Sequence, residues 1–297
     1  MIVSGKELYL WREDAISAAR SAQISPAEVD WLLEVVADVD KLSLRLGSFQ
    51  KKSQISLSLP LSVLSQLWQR RIQDSLPVQY IAGVTCWRNF QLKVSTDVLI
   101  PRSETELLID LVTKAVGESS NEEISSGYWV DLGTGSGAIA FGLAEVLTNA
   151  EIYAVDCSEG ALAIARENAA RLGFSSRIAF SQGSWWSPLG HLKGKVSGMV
   201  SNPPYIPTSL FSQLQPEVVK HEPHLALDGG IDGLEHIRYL IETAPDYLMS
   251  GGIWLIEMMT GQAEQVEAML QKQGSYRNIK IFADLAGIDR FALAYRY

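Results

Sequence analysis

A glycine-rich turn between a short apolar segment and an apolar helix is the feature that most constrains the fold of this chain. Residues 128–130 are typical of a strand, and residues 138–147 are typical of the helix that follows. Glycines in the intervening turn permit a sharp reversal and close approach of a ligand to the backbone. These glycines are Gly133, Gly135 and Gly137. The free N–H groups at the helix start can bind an anion. The spacing also fits a dinucleotide-binding turn, so the glycines alone do not identify the ligand.

An acidic residue after a second strand supports a nucleotide-like ligand. Residues 151–156 predict a strand that ends in Asp156, about 20 residues beyond the turn, as recognition of a ribose hydroxyl requires. The alternative is that Asp156 caps a helix, since a helix is expected to begin near Ser158.

The segment Asn202-Pro203-Pro204-Tyr205 follows a third apolar strand, residues 196–201, and suits recognition of a planar amino group. The Asn202 oxygen can accept one N–H, and the Pro203 carbonyl can accept a second. Pro204 keeps the preceding residue extended, and Tyr205 can stack on a flat substrate group. On its own the tetrapeptide is also compatible with a plain turn after a strand, although recognition of an amino group is favoured.

Together the two motifs predict S-adenosylmethionine as cofactor and an amino group as methyl acceptor, with S-adenosylhomocysteine as product. The expected catalytic residues are Asn202, Pro203, Pro204 and Tyr205. The expected cofactor-binding residues are Asp131, Gly133, Thr134, Gly135, Ser136, Gly137, Asp156 and Asn202.

The chain resembles the release-factor glutamine N5-methyltransferases at several further segments, which run in family order from about residue 77 to the end. These segments are 77–83, 98–106, 222–234 and 286–290. The tetrapeptide by itself would also fit DNA adenine or guanine-N2 RNA methyltransferases. Trp185 is assigned from the resemblance, which implies that it covers the adenine face.

The resemblance implies an α/β fold, a seven-stranded Rossmann-like class I methyltransferase sheet with a small N-terminal helical domain and a linking hairpin. We expect residues 1–76 to recognise the substrate, residues 77–105 to form the linker and hairpin, and residues 106–297 to form the methyltransferase domain. The implied activity is methyl transfer to the N5 nitrogen of the glutamine in the Gly-Gly-Gln motif of peptide chain release factors.

Three positions depart from the family pattern. Ser103 stands where proline is usual, Ser184 where an aspartate near the adenine is usual, and Met259 where glycine is usual. The Ser184 difference puts one adenine contact in doubt, and none of the three lies in the acceptor motif.

The charge distribution favours a protein acceptor over a nucleic acid. Residues 1–80 carry nine Lys/Arg and nine Asp/Glu, whereas residues 81–297 carry sixteen and twenty-five, so the net charge of −9 belongs to the second part. Binding to nucleic acid relies on cations that neutralise phosphates. We therefore expect no direct nucleic-acid partner, although a local basic patch could be hidden in the total.

The cysteines, the N-terminus and the histidines bear on the cellular compartment of the protein and on whether it binds a metal. Cys86 and Cys157 lie far apart and form no C-x-x-C pair, as expected of unpaired thiols in a reducing compartment. The N-terminus lacks a signal-peptide profile and no stretch has membrane-spanning length, which predicts a cytoplasmic protein without membrane association. His221 and His224 lack further ligands, so no metal is expected.

The remaining pattern predicts two parts. Residues 1–75 are expected to be helical, with a capping box at Ser25–Glu28 and a second helix over 59–72. Residues 117–127 are expected to form a polar, locally disordered loop. From residue 127 onward, strands alternate with helices and end in a hairpin. The family resemblance implies that the first and fourth strands are neighbours. The predicted strands are 127–131, 151–156, 177–181, 196–201, 252–257, 277–283 and 290–296.

Two rival functions remain from the sequence. One is an amino methyltransferase acting on nucleic acid, which a basic groove would favour. The other is a non-catalytic scaffold that binds the cofactor and holds a partner through its helical domain.

Overall fold

The computed structural model describes residues 1–297, and the chain divides into two compact units. Unit 1 comprises Met1–Val84 and Gln215–His221, and unit 2 comprises Thr85–Leu214 and Glu222–Tyr297. The strands are β1 (Ile2–Val3), β2 (Ile55–Ser56), β3 (Val84–Trp87), β4 (Phe90–Lys93), β5 (Tyr128–Leu132), β6 (Glu151–Asp156), β7 (Ile178–Gln182), β8 (Val196–Ser201), β9 (Leu248–Glu257), β10 (Tyr276–Ala283) and β11 (Asp289–Arg296). The helices are α1 (Gly5–Ser21), α2 (Ala27–Val36), α3 (Lys41–Leu46), α4 (Leu61–Asp74), α5 (Val78–Ala82), α6 (Leu107–Gly117), α7 (Glu122–Ser126), α8 (Ala138–Val146), α9 (Glu159–Leu172), α10 (Pro216–His221), α11 (Glu235–Thr243) and α12 (Ala263–Gln273).

Unit 1 is a small helical bundle whose core is built from the apolar faces of α1, α2 and α4. Val29, Leu32, Leu33 and Val36 of α2 are buried, as their helical spacing predicts. The predicted capping box at Ser25–Glu28 is wrong. The Ser25 hydroxyl accepts from Ala27 N. The Glu28 carboxylate accepts two hydrogen bonds from Arg71.

Arg71 connects parts of unit 1 that are far apart in sequence. Its side chain is almost fully buried and donates to Glu28 from Nε (2.7 Å) and to Glu217 from Nη1 (2.9 Å). Glu217 lies on α10, so this arginine attaches the segment Gln215–His221 to the helical bundle. A planar guanidinium suits this role, since it can hold two carboxylates at once.

Unit 2 contains the seven-stranded sheet that the sequence predicts. Its strand order is β10-β11-β9-β8-β5-β6-β7. All neighbours from β9 to β7 are parallel, and β11 is antiparallel to both β9 and β10. The predicted side-by-side placement of the first and fourth strands is confirmed, since β5 pairs with β8. The closing hairpin of β10 and β11 is confirmed as well.

The central strands are buried on both faces, which explains why they are apolar at nearly every position. Trp129 of β5 packs into the core on the side of α6 and α8, and the next residue, Val130, packs into the core on the side of α11 and α12. Unit 2 is therefore a three-layer α/β structure, and the edge where β5, β6 and β8 end is left for a ligand.

Two connecting segments differ from the sequence-based expectation or refine it. Residues 117–127 are not the disordered loop that we predicted, because Asn121 caps the short helix α7 and Ile124 buries its side chain. The predicted linking hairpin is formed by β3 and β4 and is preceded by the short helix α5. No helix in the chain combines the length and the apolarity that crossing a membrane requires.

Gly198 provides a test of the packing between β5 and β8. A methyl group added at this position would overlap the ring of the buried Trp129, whereas one added at Gly190 would contact nothing within 4 Å. We expect Gly198→Ala to lower the free energy of unfolding by about 1–3 kcal/mol, the usual cost of overpacking a rigid core. Urea denaturation of Gly198→Ala, with Gly190→Ala as control, measures this difference, and equal midpoints would contradict the packing described.

Candidate active site

The ends of β5 and β8 form one side of a cavity of about 220 Å³. The chain runs outward from β5 through β6 to β7 and then crosses back to β8, so β5 and β8 flank the point at which the strand order reverses. Ser201 Oγ donates to the Leu132 carbonyl (2.6 Å) and joins the two strand ends directly. The lining residues include Asp97, Leu99, Gly133, Gly135, Asp156, Ser184, Trp185, Asn202, Pro204, Leu225 and His236.

Asp131 is a fully buried carboxylate beneath the glycine turn. Its Oδ2 accepts from Thr134 Oγ1 (2.5 Å) and from Ala140 N (3.0 Å). Its Oδ1 is buried and has no hydrogen-bond partner within the protein. Burial raises the pKa of Asp131 to about 7, against the opposing effect of these two hydrogen bonds. A buried oxygen without a partner is suited to a cationic or donor group of a ligand.

The glycine turn is fixed by contacts with β6 and α9. Gly133 N and Thr134 N both donate to the Val155 carbonyl. Asn168 of α9 donates to the Ser136 carbonyl (3.0 Å) and also pairs with the backbone of Lys93 on β4. The sequence analysis missed Asn168, because a single Asn within a helical pattern gives no signal of such a bridge.

Asp156 lines the cavity and does not cap α9. Its Oδ2 accepts from Gly135 N and its Oδ1 accepts from Ser158 N, both at 2.9 Å. The residue that caps α9 is Ser158, whose hydroxyl accepts from Ala161 N. Burial raises the pKa of Asp156 as well. Each of its oxygens retains a lone pair that can accept a hydrogen bond from a hydroxyl group of a ligand in the cavity.

Trp185 also lines the cavity, with its ring close to Gly133. It adopts a left-handed backbone conformation (φ 51°), and its ring lies 5.4 Å from that of His236, with both residues at the cavity. Ser184 lies beside it at the cavity wall. The structure thus brings five of the predicted cofactor-binding residues to the cavity surface, namely Gly133, Gly135, Asp156, Trp185 and Asn202. The other predicted residues, Asp131, Thr134, Ser136 and Gly137, lie in the buried layer behind them.

The acceptor motif is held by a buried polar network. Asn202 Nδ2 donates to Thr105 Oγ1 (3.2 Å), and Thr105 in turn donates to Glu257 Oε2 (2.7 Å). Tyr205 donates its phenolic O–H to Glu257 Oε1 (3.0 Å). Asn202 and Pro204 line the cavity, whereas Pro203 and Tyr205 lie behind it. The sequence analysis assigned no role to Thr105 or Glu257, because neither belongs to the tetrapeptide.

Burial shapes the electrostatics of this network. Desolvation raises the pKa of Glu257, while its hydrogen bonds from Thr105 and Tyr205 and the nearby Arg290 charge oppose that rise. Desolvation also raises the pKa of Tyr205, and the Glu257 charge adds to this effect, so the phenol stays protonated and acts as a donor.

Arg102 and Glu222 form a further ion pair. Arg102 Nη2 lies 2.7 Å and 2.8 Å from the two oxygens of the buried Glu222 carboxylate. Burial raises the pKa of Glu222, and the Arg102 charge acts against that rise. The pair joins Arg102, which lies before α6, to Glu222, which directly precedes Pro223 at the cavity wall.

Comparison with known proteins identifies the family. Residues 125–280 match a family model described as a methyltransferase domain. The chain is 52% identical over 292 residues to a protein of Synechocystis named release factor glutamine methyltransferase, covering 98% of this chain and 97% of that protein. A protein of the same name from Thermosynechococcus vestitus is 44% identical, covering 98% of this chain and 99% of that protein. Another from Gloeobacter violaceus is 41% identical, covering 97% of this chain and 96% of that protein. The chain belongs to the release factor glutamine methyltransferase family.

The solved structures agree with the fold. The catalytic domain of human METTL16, crystallised with an RNA hairpin, aligns with a TM-score of 0.55 at 16% identity, covering 82% of this chain and 84% of that one. At this identity the likeness supports a shared class I methyltransferase fold and carries no information on the substrate.

Asp131 provides a test of the site's electrostatics. Because its folded-state pKa of about 7 exceeds its ordinary value of 3.8, ionised Asp131 destabilises the folded protein. This cost is absent at low pH and is complete once the pH rises above about 7. We expect Asp131→Asn to be more stable than the wild type at pH 8 by on the order of 3 kcal/mol. Urea denaturation at pH 8 and pH 5 should show the gain shrinking at pH 5, and a loss of stability at pH 8 would contradict it.

Proposed function

We propose that this enzyme transfers a methyl group from S-adenosylmethionine to the N5 nitrogen of the glutamine in the Gly-Gly-Gln motif of peptide chain release factors. The observation that carries the proposal is the orientation of Asn202 at the cavity. Its Nδ2 is engaged by Thr105, so its carbonyl oxygen is the atom that remains to accept from a substrate. The proposal is supported by relatives that are named release factor glutamine methyltransferase, one of them 52% identical over nearly the whole chain.

The residues of the cavity fit the proposed cofactor. The unpartnered Asp131 oxygen and the glycine turn suit the ammonium and carboxylate of its amino-acid part. Asp156 can accept the ribose hydroxyls, and Trp185 offers an aromatic face to the adenine. When bound, S-adenosylmethionine supplies a methyl group that its sulfonium centre already activates.

The acceptor residues then act mainly by positioning. A glutamine amide is a poor nucleophile because its nitrogen lone pair is delocalised into the carbonyl. The Asn202 oxygen and the Pro203 carbonyl can accept the two amide hydrogens and fix the nitrogen in one orientation. These hydrogen bonds strengthen as the nitrogen gains positive character, so they stabilise the transition state more than the ground state. Tyr205 lies behind the cavity lining, where its hydrogen bond to Glu257 holds the end of the tetrapeptide in place.

The proposal assigns the release factor as the partner and the helical part of the chain, residues 1–76, to its recognition. The acidic second part of the chain favours a protein over a nucleic-acid acceptor. Because release factors act in translation, the proposed activity implies a cytoplasmic location.

Asn202→Ala tests the acceptor site. Loss of an oriented hydrogen-bonding group that acts in the transition state typically costs 10²–10³-fold in rate, so we expect kcat to fall by about that factor. Affinity for S-adenosylmethionine, measured by calorimetry, should change little. Asn149→Ala, at an exposed asparagine before β6, is the matched control. Turnover of Asn202→Ala at the control level would contradict the proposed role.

Methyl transfer from labelled S-adenosylmethionine to a purified release factor tests the whole function. We expect label on the wild-type release factor and none on a variant whose Gly-Gly-Gln glutamine is replaced. If the cofactor binds but no release factor is labelled, the proposed substrate is wrong, and labelling of DNA or RNA in parallel reactions would identify the nucleic-acid alternative.

A further inference from the structure

Glu257, Thr105 and the acceptor motif form a continuous chain of hydrogen bonds with a defined direction. Thr105 and Glu257 are buried, with 4% and 1% of their surfaces exposed. The chain runs from Asn202 Nδ2 to Thr105 Oγ1 (3.2 Å) and from Thr105 Oγ1 to Glu257 Oε2 (2.7 Å). Thr105 lies just before α6 and Glu257 ends β9, so three separate parts of unit 2 meet here.

The direction follows from what each group can donate. A carboxylate oxygen that accepts cannot also donate, and both Glu257 oxygens accept, one from the Thr105 hydroxyl and the other from the Tyr205 phenol. Burial raises the pKa of Glu257, and these two hydrogen bonds oppose that rise by stabilising the ionised form. The single Thr105 proton is therefore committed to Glu257. The Thr105 oxygen can then only accept, so it must face the amide NH₂ of Asn202 and cannot face its carbonyl. The Asn202 carbonyl is consequently turned away from Thr105.

The same carboxylate fixes the other end of the tetrapeptide. Its second oxygen accepts from the Tyr205 phenol (3.0 Å). Gln262 adds a backbone restraint, since its Nε2 donates to the Tyr205 carbonyl (3.0 Å) and to the Gly233 carbonyl (3.1 Å). Both polar side chains of the tetrapeptide are thus oriented from one buried carboxylate.

We propose that Thr105 and Glu257 are positioning residues that set which end of the Asn202 amide faces the acceptor nitrogen. Without them, the Asn202 side chain could present its NH₂, a donor, to a substrate amide that itself needs acceptors. The inference rests on the proposed methylation of a glutamine amide. It adds that the Asn202 orientation is dictated from outside the tetrapeptide.

The two nearly isosteric replacements disturb this direction in different ways. Thr105→Val removes the hydroxyl and leaves the Asn202 NH₂ without its acceptor. Glu257→Gln introduces an NH₂ that can donate to Thr105, which frees the Thr105 proton to bond the Asn202 carbonyl and reverses the chain. Thr105→Ser keeps the hydroxyl and should keep the direction.

Steady-state kinetics with a purified release factor test the proposal. We expect Thr105→Val and Glu257→Gln to lower kcat about 10- to 100-fold, by analogy with the loss seen when residues that orient metal ligands are replaced. The KM for the release factor and the affinity for S-adenosylmethionine should stay within about threefold of the wild type, because the lost interaction acts in the transition state. Thr105→Ser should restore kcat to within about threefold.

Thr148→Val and Glu264→Gln, at exposed positions away from the cavity, are matched controls and should behave as the wild type. Retained cofactor affinity shows that each variant is folded. A wild-type kcat in both Thr105→Val and Glu257→Gln, or a kcat in Thr105→Ser as low as in Thr105→Val, would overturn the proposal. Failure of the proposed function is distinguishable, since the wild type itself would then leave the release factor unlabelled.

Discussion

The pairing of β5 with β8 is the constraint on which the site depends. These strands are separated by more than sixty residues of chain, yet their ends are joined by the Ser201–Leu132 hydrogen bond. The glycine turn follows β5 and the tetrapeptide Asn202–Tyr205 follows β8. This single parallel pairing therefore brings both segments to one cavity. A shift in the register of this pair would move Asn202 relative to Asp131, since side-chain orientation alternates along a strand.

Two buried carboxylates serve the site in contrasting ways. Asp131 leaves one buried oxygen without a partner, which costs stability in the folded protein. Both oxygens of Glu257 accept hydrogen bonds inside the protein, so its carboxylate holds Tyr205 directly and Asn202 through Thr105. In the proposed function the first carboxylate serves the cofactor, and the second restricts the conformations of Asn202 and Tyr205.

Sequence reasoning succeeded where the local pattern and the tertiary structure agree. The seven strands, the β5–β8 neighbours and the closing hairpin follow from apolar runs, turn residues and the family resemblance. It failed where a distant partner competes for a local group. Glu28 has the spacing of a capping box, yet Arg71 takes its carboxylate. The polar composition of residues 117–127 predicts a loop. Ile124 is nevertheless buried in the core, which a local pattern does not reveal.

The sequence by itself determined the chemical groups of the site: the glycine turn, the carboxylates Asp131 and Asp156, and the acceptor tetrapeptide at a strand end. The tertiary structure decided how these groups are directed. It left Asp131 Oδ1 unpaired, engaged Asp156 with the turn, and linked Asn202 through Thr105 to Glu257, 152 residues after Thr105 in the chain. The physical reason is that a residue's type fixes what it can donate or accept, whereas only folding brings together the distant partners that determine which of those possibilities is used.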